Sequence, residues 1–188
     1  MFDRQVVYKN LGLDKQQLLS NSVVCIVGIG ALGTNAAELL VRSGVKNLVL
    51  IDSDYVEQNN LQRQCLFDSN DLNKSKVIAA KAKLELINPR VNTTIHNKRL
   101  DNLNLELLKS DIVLDCTDNI ETRFLINEFC IKNNIPWIYS SAIESHGMVL
   151  VIYPNKTPCF SCIVKEPTQE LDTCQDLGIL NTIIRTIS

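Results

Sequence analysis

Gly28, Gly30 and Gly33 form a G-x-G-x-x-G run that directly follows an apolar stretch, Val23-Val24-Cys25-Ile26-Val27, and opens a helical pattern. Glycines at this spacing give a tight turn, a close approach of backbone to ligand, and close packing of helix on strand. The free N–H groups at the helix start favour a phosphate or ribose oxygen. Asp52 ends the next apolar run, nineteen positions after Gly33, where a carboxylate can accept from ribose hydroxyls. Together these residues point to an adenosine-containing ligand. The alternative for Asp52 is an acid that only caps the turn Ile51-Asp52-Ser53-Asp54.

A dinucleotide and a triphosphate are separated by what comes next. Asn59-Asn60-Leu61-Gln62-Arg63-Gln64 sets amides and a guanidinium a few residues past Asp52, and Lys76 follows at the start of a helical pattern. Arg and Lys suit the anionic oxygens of a triphosphate. Asp115-Cys116-Thr117-Asp118-Asn119 closes a further apolar run, at the edge where open α/β sheets bind ligands. One acid there, Asp118, is enough for Mg²⁺, which takes one or two protein carboxylates plus phosphate oxygens. Its other candidate role is N-cap of the helix that follows. A nicotinamide-dependent oxidoreductase would need a proton donor near its substrate carbonyl, and the two histidines, His96 and His146, stand in no recognisable catalytic setting.

The elements that must position these residues alternate along the chain. Strands are predicted over Val23–Val27, 48–51, 91–95, 112–114 and 137–139, and helices over Ala31–Ser43, 74–87 and 120–133. Such alternation is the sign of a Rossmann-like, doubly wound α/β fold with a mainly parallel sheet and flanking helices. A strand over 147–153 follows, then a Pro-punctuated turn over 154–158. Residues 165–176 are polar and irregular, and Leu180, Ile183, Ile184 and Ile187 return to helical spacing within 177–187. That last helix reaches Ser188 without a cap, a glycine or a charged tail, so residues 1–188 read as a single nucleotide-binding domain, truncated in its C-terminal part.

Composition narrows the class. The 188 residues carry 19 Lys+Arg and 21 Asp+Glu, a formal charge of -2, which leaves no basic field for nucleic acid or acidic membranes. No 18-residue apolar run is present and the N-terminus is polar, so a cytoplasmic chain is expected. Seven cysteines, an odd number scattered through strands and helices, read as reduced thiols. Cys25, Cys116 and Cys130 are expected to be small buried hydrophobes. Cys159 and Cys162 have the C-x₂-C spacing of a zinc knuckle, half of the four ligands it needs. Either the missing pair lies beyond these residues, or it has been lost, or the two are redox or packing cysteines.

Taken jointly, these residues resemble one family, the ubiquitin-activating-enzyme-like adenylyltransferases of the MoeB, ThiF and HesA group. The resemblance runs from Arg4-Gln5 through the glycine loop, Asp52, the 59–64 segment, Lys76, Asn88-Pro89, the 115–119 segment and Cys159/Cys162 to Thr173-Cys174. It implies ATP rather than NAD, with Gly28, Gly30, Gly33, Asp52, Asn59, Asn60, Arg63, Lys76, Asp118 and Asn119 around the nucleotide and Mg²⁺ on Asp118. The implied reaction is attack by the C-terminal carboxylate of a ubiquitin-like or sulfur-carrier protein, usually ending in Gly-Gly, on the α-phosphate of ATP. Pyrophosphate leaves and an acyl-adenylate forms.

The resemblance further implies a homodimer in which Arg4 reaches the partner's phosphate site, a reactive Cys174, and zinc held by a second C-x₂-C pair. Read without it, Arg4 is a solvated terminal charge. Cys174 stands just before a helix, which lowers a thiol pKa, with Asp172 and Asp176 opposing. Two other classes remain: an NAD(P)-dependent oxidoreductase, and a non-catalytic nucleotide-binding dimerisation module.

Overall fold

In β1 (Val23–Val27), Val24 and Ile26 pack to one side while Cys25 and Val27 pack to the other. Both sides are covered, which is why the strand is apolar at successive positions. The first side holds Leu48 and Leu50 with Ala37, Val41, Val77, Ala80 and Leu84. The second holds Val113, Ile126, Phe129, Cys130 and Trp137. The computed structural model describes residues 2–164 and 179–188.

Six strands form one sheet in the order β3-β2-β1-β4-β5-β6, with β2 at Asn47–Ile51, β3 at Asn92–His96, β4 at Ile112–Asp115, β5 at Trp137–Ile143 and β6 at His146–Ile152. The first five run parallel and β6 returns antiparallel to β5. The sheet bears out the doubly wound reading. Chain order reverses between β1 and β4, the switch point at which such sheets bind ligands. Pairing sets Val27 beside both Ile51 and Asp115, so Gly28, Asp52 and Cys116 leave the sheet at one level. Helices α3 (Ala31–Ser43), α4 (Lys76–Ile87) and α5 (Ile120–Lys132) flank it.

Three departures from the sequence expectations have local causes. The strand expected over 137–139 is seven residues long, because β6 pairs along its whole length; Ser140 and Ser141 interrupt the apolar pattern, and the buried Ser140 hydroxyl donates to the Asp115 carbonyl at 2.7 Å. The helix expected from 74 starts at Lys76, since the Lys74 carbonyl accepts from Val56 N–H instead. Two N-terminal helices, α1 (Asp3–Val6) and α2 (Gly12–Asn21), have no apolar stripe to announce them. Side chains hold them: the amides of Gln5 and Gln16 donate to the Ser43 carbonyl at 2.9 and 3.0 Å, meeting an acceptor that the end of α3 leaves unsatisfied.

The chain continues through α6 (Phe160–Ile163) and α7 (Asn181–Ile187). Of the last predicted helical segment, residues 177 and 178 lie outside the described residues. No described helix is long and apolar enough to cross a membrane. The six described cysteines are free thiols; Cys25 and Cys130 are buried as expected, and Cys116 is only partly buried.

The glycine loop is set by contact distances. Gly28 has φ +88°, and a Cβ there would stand 2.7 Å from the Cys116 carbonyl oxygen; a Cβ on Gly33 would stand 1.9 Å from the Gly28 carbonyl oxygen. A side chain at Gly33 would part α3 from the end of β1, and one at Gly28 would part the β1–α3 turn from the end of β4. Gly33→Ala is therefore expected to cost at least about 2 kcal/mol of stability, read from the midpoint of urea denaturation followed by circular dichroism.

Candidate functional site

A cavity of about 550 Å³ lies over the switch point, within the size range of ligand pockets. Its wall is contributed by the turns that follow β1, β2, β3 and β4, by the starts of α4 and α5, and by the outer end of β5. Five cationic side chains, Arg63, Lys76, Lys98, Arg99 and Arg123, line it with three carboxylates, Asp52, Asp54 and Asp118.

Asp52 both caps its turn and anchors the glycine loop. One carboxylate oxygen accepts from Asp54 N–H at 2.7 Å and the other from Ile29 N–H at 2.6 Å. Each oxygen keeps a lone pair for a further donor such as a ribose hydroxyl. Burial lifts the Asp52 carboxyl above its ordinary range, with Lys76 and the two backbone donors pulling it back.

Gly30 lines the cavity, and a Cβ added to it would meet nothing nearer than Gln64 Nε2 at 3.9 Å. Protein packing therefore does not demand a glycine at 30. A side chain there would instead take up cavity space. Gly33 is not a lining residue, and its task is the helix contact described above.

Lys76 is buried, and its ammonium sits 2.8 Å from Asp54 Oδ2. Arg63 donates to the Asn59 carbonyl at 2.9 Å. Asn59 itself does not line the cavity; it steers Arg63 and takes a 2.7 Å bond from the Asn60 amide. Gln64 brings a buried Oε1 that has no hydrogen-bond partner among the described residues.

The helix cap, the alternative role for Asp118, belongs to Asn119. Its Oδ1 accepts from Thr122 N–H at 2.9 Å, and its backbone (φ -111°, ψ 119°) is extended as a cap requires. This frees Asp118, which lines the cavity, is exposed, and makes no hydrogen bond or ion pair among the described residues. A single open carboxylate beside a phosphate-sized cationic wall fits the donor set Mg²⁺ uses.

Sequence reading missed the charge layer behind this turn. Asp115 is fully buried, and Arg123 Nε lies 3.8 Å from its Oδ2. Burial pushes the Asp115 carboxyl up to about 6, against the pull of Arg123 and Thr117. The signal was available: an acid at the end of a buried strand needs a cation, and Arg123 stands on the first turn of α5. Cys116, the one described cysteine on the cavity wall, is pushed by burial to about 12. It is no nucleophile at neutral pH.

The ThiF family model matches residues 2–188. The chain belongs to the ThiF family. It is 34% identical over 192 residues to the sulfur carrier protein ThiS adenylyltransferase of Bacillus subtilis, covering 100% of this chain and 57% of that protein. It is 40% identical over 186 residues to the molybdopterin-synthase adenylyltransferase of Haemophilus influenzae, covering 97% of this chain and 76% of the relative. Among solved structures it is similar to Escherichia coli MccB crystallised with AMPCPP and selenomethionine MccA, with a TM-score of 0.75 and 28% identity over 79% of this chain and 46% of MccB. The chain thus spans little more than half of the Bacillus relative and about half of MccB.

Of three expectations tied to the ThiF resemblance, two fall outside the cavity and one outside the described residues. Arg4 is exposed on α1, beside the C-terminal end of α3, while the cavity is at the N-terminal end of that helix. Thirteen residues of helix span roughly 20 Å, beyond the reach of an arginine, so Arg4 does not join the site of its own chain. Cys174 lies outside the described residues. Cys159 and Cys162 place their sulfurs 3.4 Å apart at the start of α6. No group of three or more His, Cys, Asp or Glu able to hold a metal exists among the described residues, so these two thiols do not by themselves complete a tetrahedral zinc site.

Two measurements follow. Gly30→Ala is expected to keep its melting temperature within about 2 °C of the wild type while nucleotide affinity by calorimetry falls roughly tenfold, about 1.4 kcal/mol. Because the folded-state value of Asp115 is raised to about 6, its contribution to stability is present in full below about pH 4 and is lost as pH rises through 6. The stability difference between the wild type and Asp115→Asn should therefore shift against the wild type between pH 4 and 7; a constant difference would rule out a raised Asp115.

Proposed function

We propose that this chain adenylates the C-terminal carboxylate of a ubiquitin-like or sulfur-carrier protein, using ATP and Mg²⁺ and releasing pyrophosphate. The observation that carries this reading is the grouping at one switch point of a glycine loop open to a ligand, cationic Arg63 and Lys76, and an unpartnered Asp118 carboxylate. The names of the relatives support it, since they are adenylyltransferases of ThiS and of molybdopterin synthase. MccB lends the chemistry of the nucleotide, because AMPCPP is a methylene analogue of ATP.

The residues divide the work as follows. Gly28 and Gly30 let the nucleotide approach the backbone of the β1–α3 turn, and the N–H groups there face its phosphates. Asp52 accepts from the ribose. Lys76 leaves its Asp54 partner for the phosphates, and Arg63 adds a second cation. Asp118 is the residue that would hold Mg²⁺, whose charge neutralises phosphate oxygens and assists departure of pyrophosphate. The attacking carboxylate is ionised near neutral pH, so the site needs positioning and charge neutralisation rather than a general base. Neither histidine lines the cavity, which is in keeping with that and weighs against a hydride-transferring oxidoreductase.

The same proposal includes a homodimer, with Arg4 serving the partner's site because it cannot serve its own. It also includes a carrier with a Gly-Gly tail slender enough to reach the α-phosphate, in a cytoplasmic setting suited to free thiols.

The test is ATP–pyrophosphate exchange in the presence of a Gly-Gly-ended carrier protein. Exchange is expected from the wild type, falling roughly a hundredfold in Arg63→Ala, Lys76→Ala and Asp118→Ala. A carrier-independent change in nicotinamide absorbance would replace this reading with an oxidoreductase. ATP binding without exchange with any carrier would leave a nucleotide-binding module.

A further inference from the structure

The turn that carries Asp118 is fastened on every side except at Asp118 itself. Cys116 N–H donates to the Val27 carbonyl at 2.8 Å. Asp115 Oδ1 accepts from Thr117 twice, from its N–H at 3.0 Å and its hydroxyl at 2.7 Å. From the opposite side, Arg123 Nη2 donates to the Thr117 carbonyl. The Arg123 guanidinium carbon also sits 5.0 Å from the centre of the Tyr139 ring, within range of a cation–π contact. Its Nε and Asp115 Oδ2 are both buried, face each other at 3.8 Å, and have no hydrogen-bond partner among the described residues.

We propose that Arg123 is a positioning residue: with Asp115 it clamps Thr117 from both sides and thereby sets where the Asp118 carboxylate stands above the glycine loop. This rests on the reading of Asp118 as the Mg²⁺-holding residue of an ATP-using site. Three features of the geometry favour the role. Arg123 acts on the residue adjoining Asp118, so a displaced Thr117 displaces Asp118 with it. Its contacts need a planar group with separate edges and a face: Nη2 on a carbonyl, Nε toward a carboxylate, and the ring plane of Tyr139 beneath. A lysine offers a single point of charge in their place. Finally, charge pairing in a buried setting is stiff, because moving either partner leaves an uncompensated ion away from water.

A residue that only supported the fold would change nucleotide binding with and without metal alike. A residue that positions Asp118 changes only the part of affinity that Mg²⁺ adds.

The experiment measures AMPCPP affinity by calorimetry in the presence and absence of Mg²⁺ for the wild type, Arg123→Ala, Arg123→Lys, Asp118→Ala and the Arg123→Lys/Asp118→Ala double variant. Arg123→Lys keeps a cation beside Asp115 and so preserves the fold should Arg123→Ala lose it. It is expected to bind AMPCPP like the wild type without metal and to lose roughly 10- to 100-fold of the affinity in the presence of Mg²⁺. The double variant is expected to be no worse than Asp118→Ala alone, since both changes remove one effect. Full retention of the Mg²⁺ gain in Arg123→Lys overturns the proposal. So does an equal loss with and without metal, or a wild type whose affinity does not respond to Mg²⁺. If the Mg²⁺ pattern appears but no carrier supports pyrophosphate exchange, the adenylation reading fails while the role of Arg123 stands.

Discussion

Three backbones meet at the start of α3, and they meet only because two Cβ atoms are absent. The Gly28 carbonyl would lie 1.9 Å from a side chain on Gly33, and the Cys116 carbonyl 2.7 Å from one on Gly28. This junction draws the β1–α3 turn, the helix itself and the end of β4 into one corner. The cavity is what remains above it. Move the helix outward by the width of a methyl group and its first turn parts from the end of β1 and from the Cys116 side chain. Gly28 and Gly33 are thus a packing requirement first, and Gly30 alone of the three answers to no packing demand.

On that corner the charges are arranged so that most are already occupied. Asp54 holds Lys76, Asp115 faces Arg123, and the Asn59 carbonyl holds Arg63. These three cations are fixed by a partner before any ligand arrives, and such preorganisation lowers the cost of ordering a site around anionic oxygens. Asp118 stands apart among the carboxylates of the wall, its turn fastened all round although it has no partner itself among the described residues. Burial raises Asp115 to about 6, so at neutral pH it is mostly, not wholly, ionised beside Arg123.

Much of this could be read from residue order. β1 and α3 have the boundaries expected of them, because a strand buried on both faces leaves an unbroken apolar run and the glycine loop marks where it ends. Asp52, Lys76 and Asp118 come to one cavity as their places after successive strands implied. What was not legible depends on distance in space. Arg123 reads as one more charge on a helix until Asp115 is known to be buried beneath it. Asp118 and Asn119 are equally good caps in sequence, and only the backbone decides between them. Ser140 and Ser141 hide the second half of β5, since a buried serine satisfied by a carbonyl looks like a loop residue. The N-terminal helices are held by Gln5 and Gln16, whose bonds to Ser43 leave no periodic trace.

The last helix has a bearing on the cavity although it lies at the other end of the sequence. Ile184 is fully buried against Leu32 and Ala142, and the Ile183 and Ile187 side chains press so closely on β6 that a Cβ at Gly147 would stand 2.8 Å from Ile187. Leu32 is itself part of the cavity wall. Peeling α7 from the sheet would uncover the wall and the β5–β6 hairpin together, so the three belong to one cooperative unit in local opening. Protection of the first turn of α3 from amide hydrogen exchange is then expected to depend partly on residues more than 140 positions further along the chain.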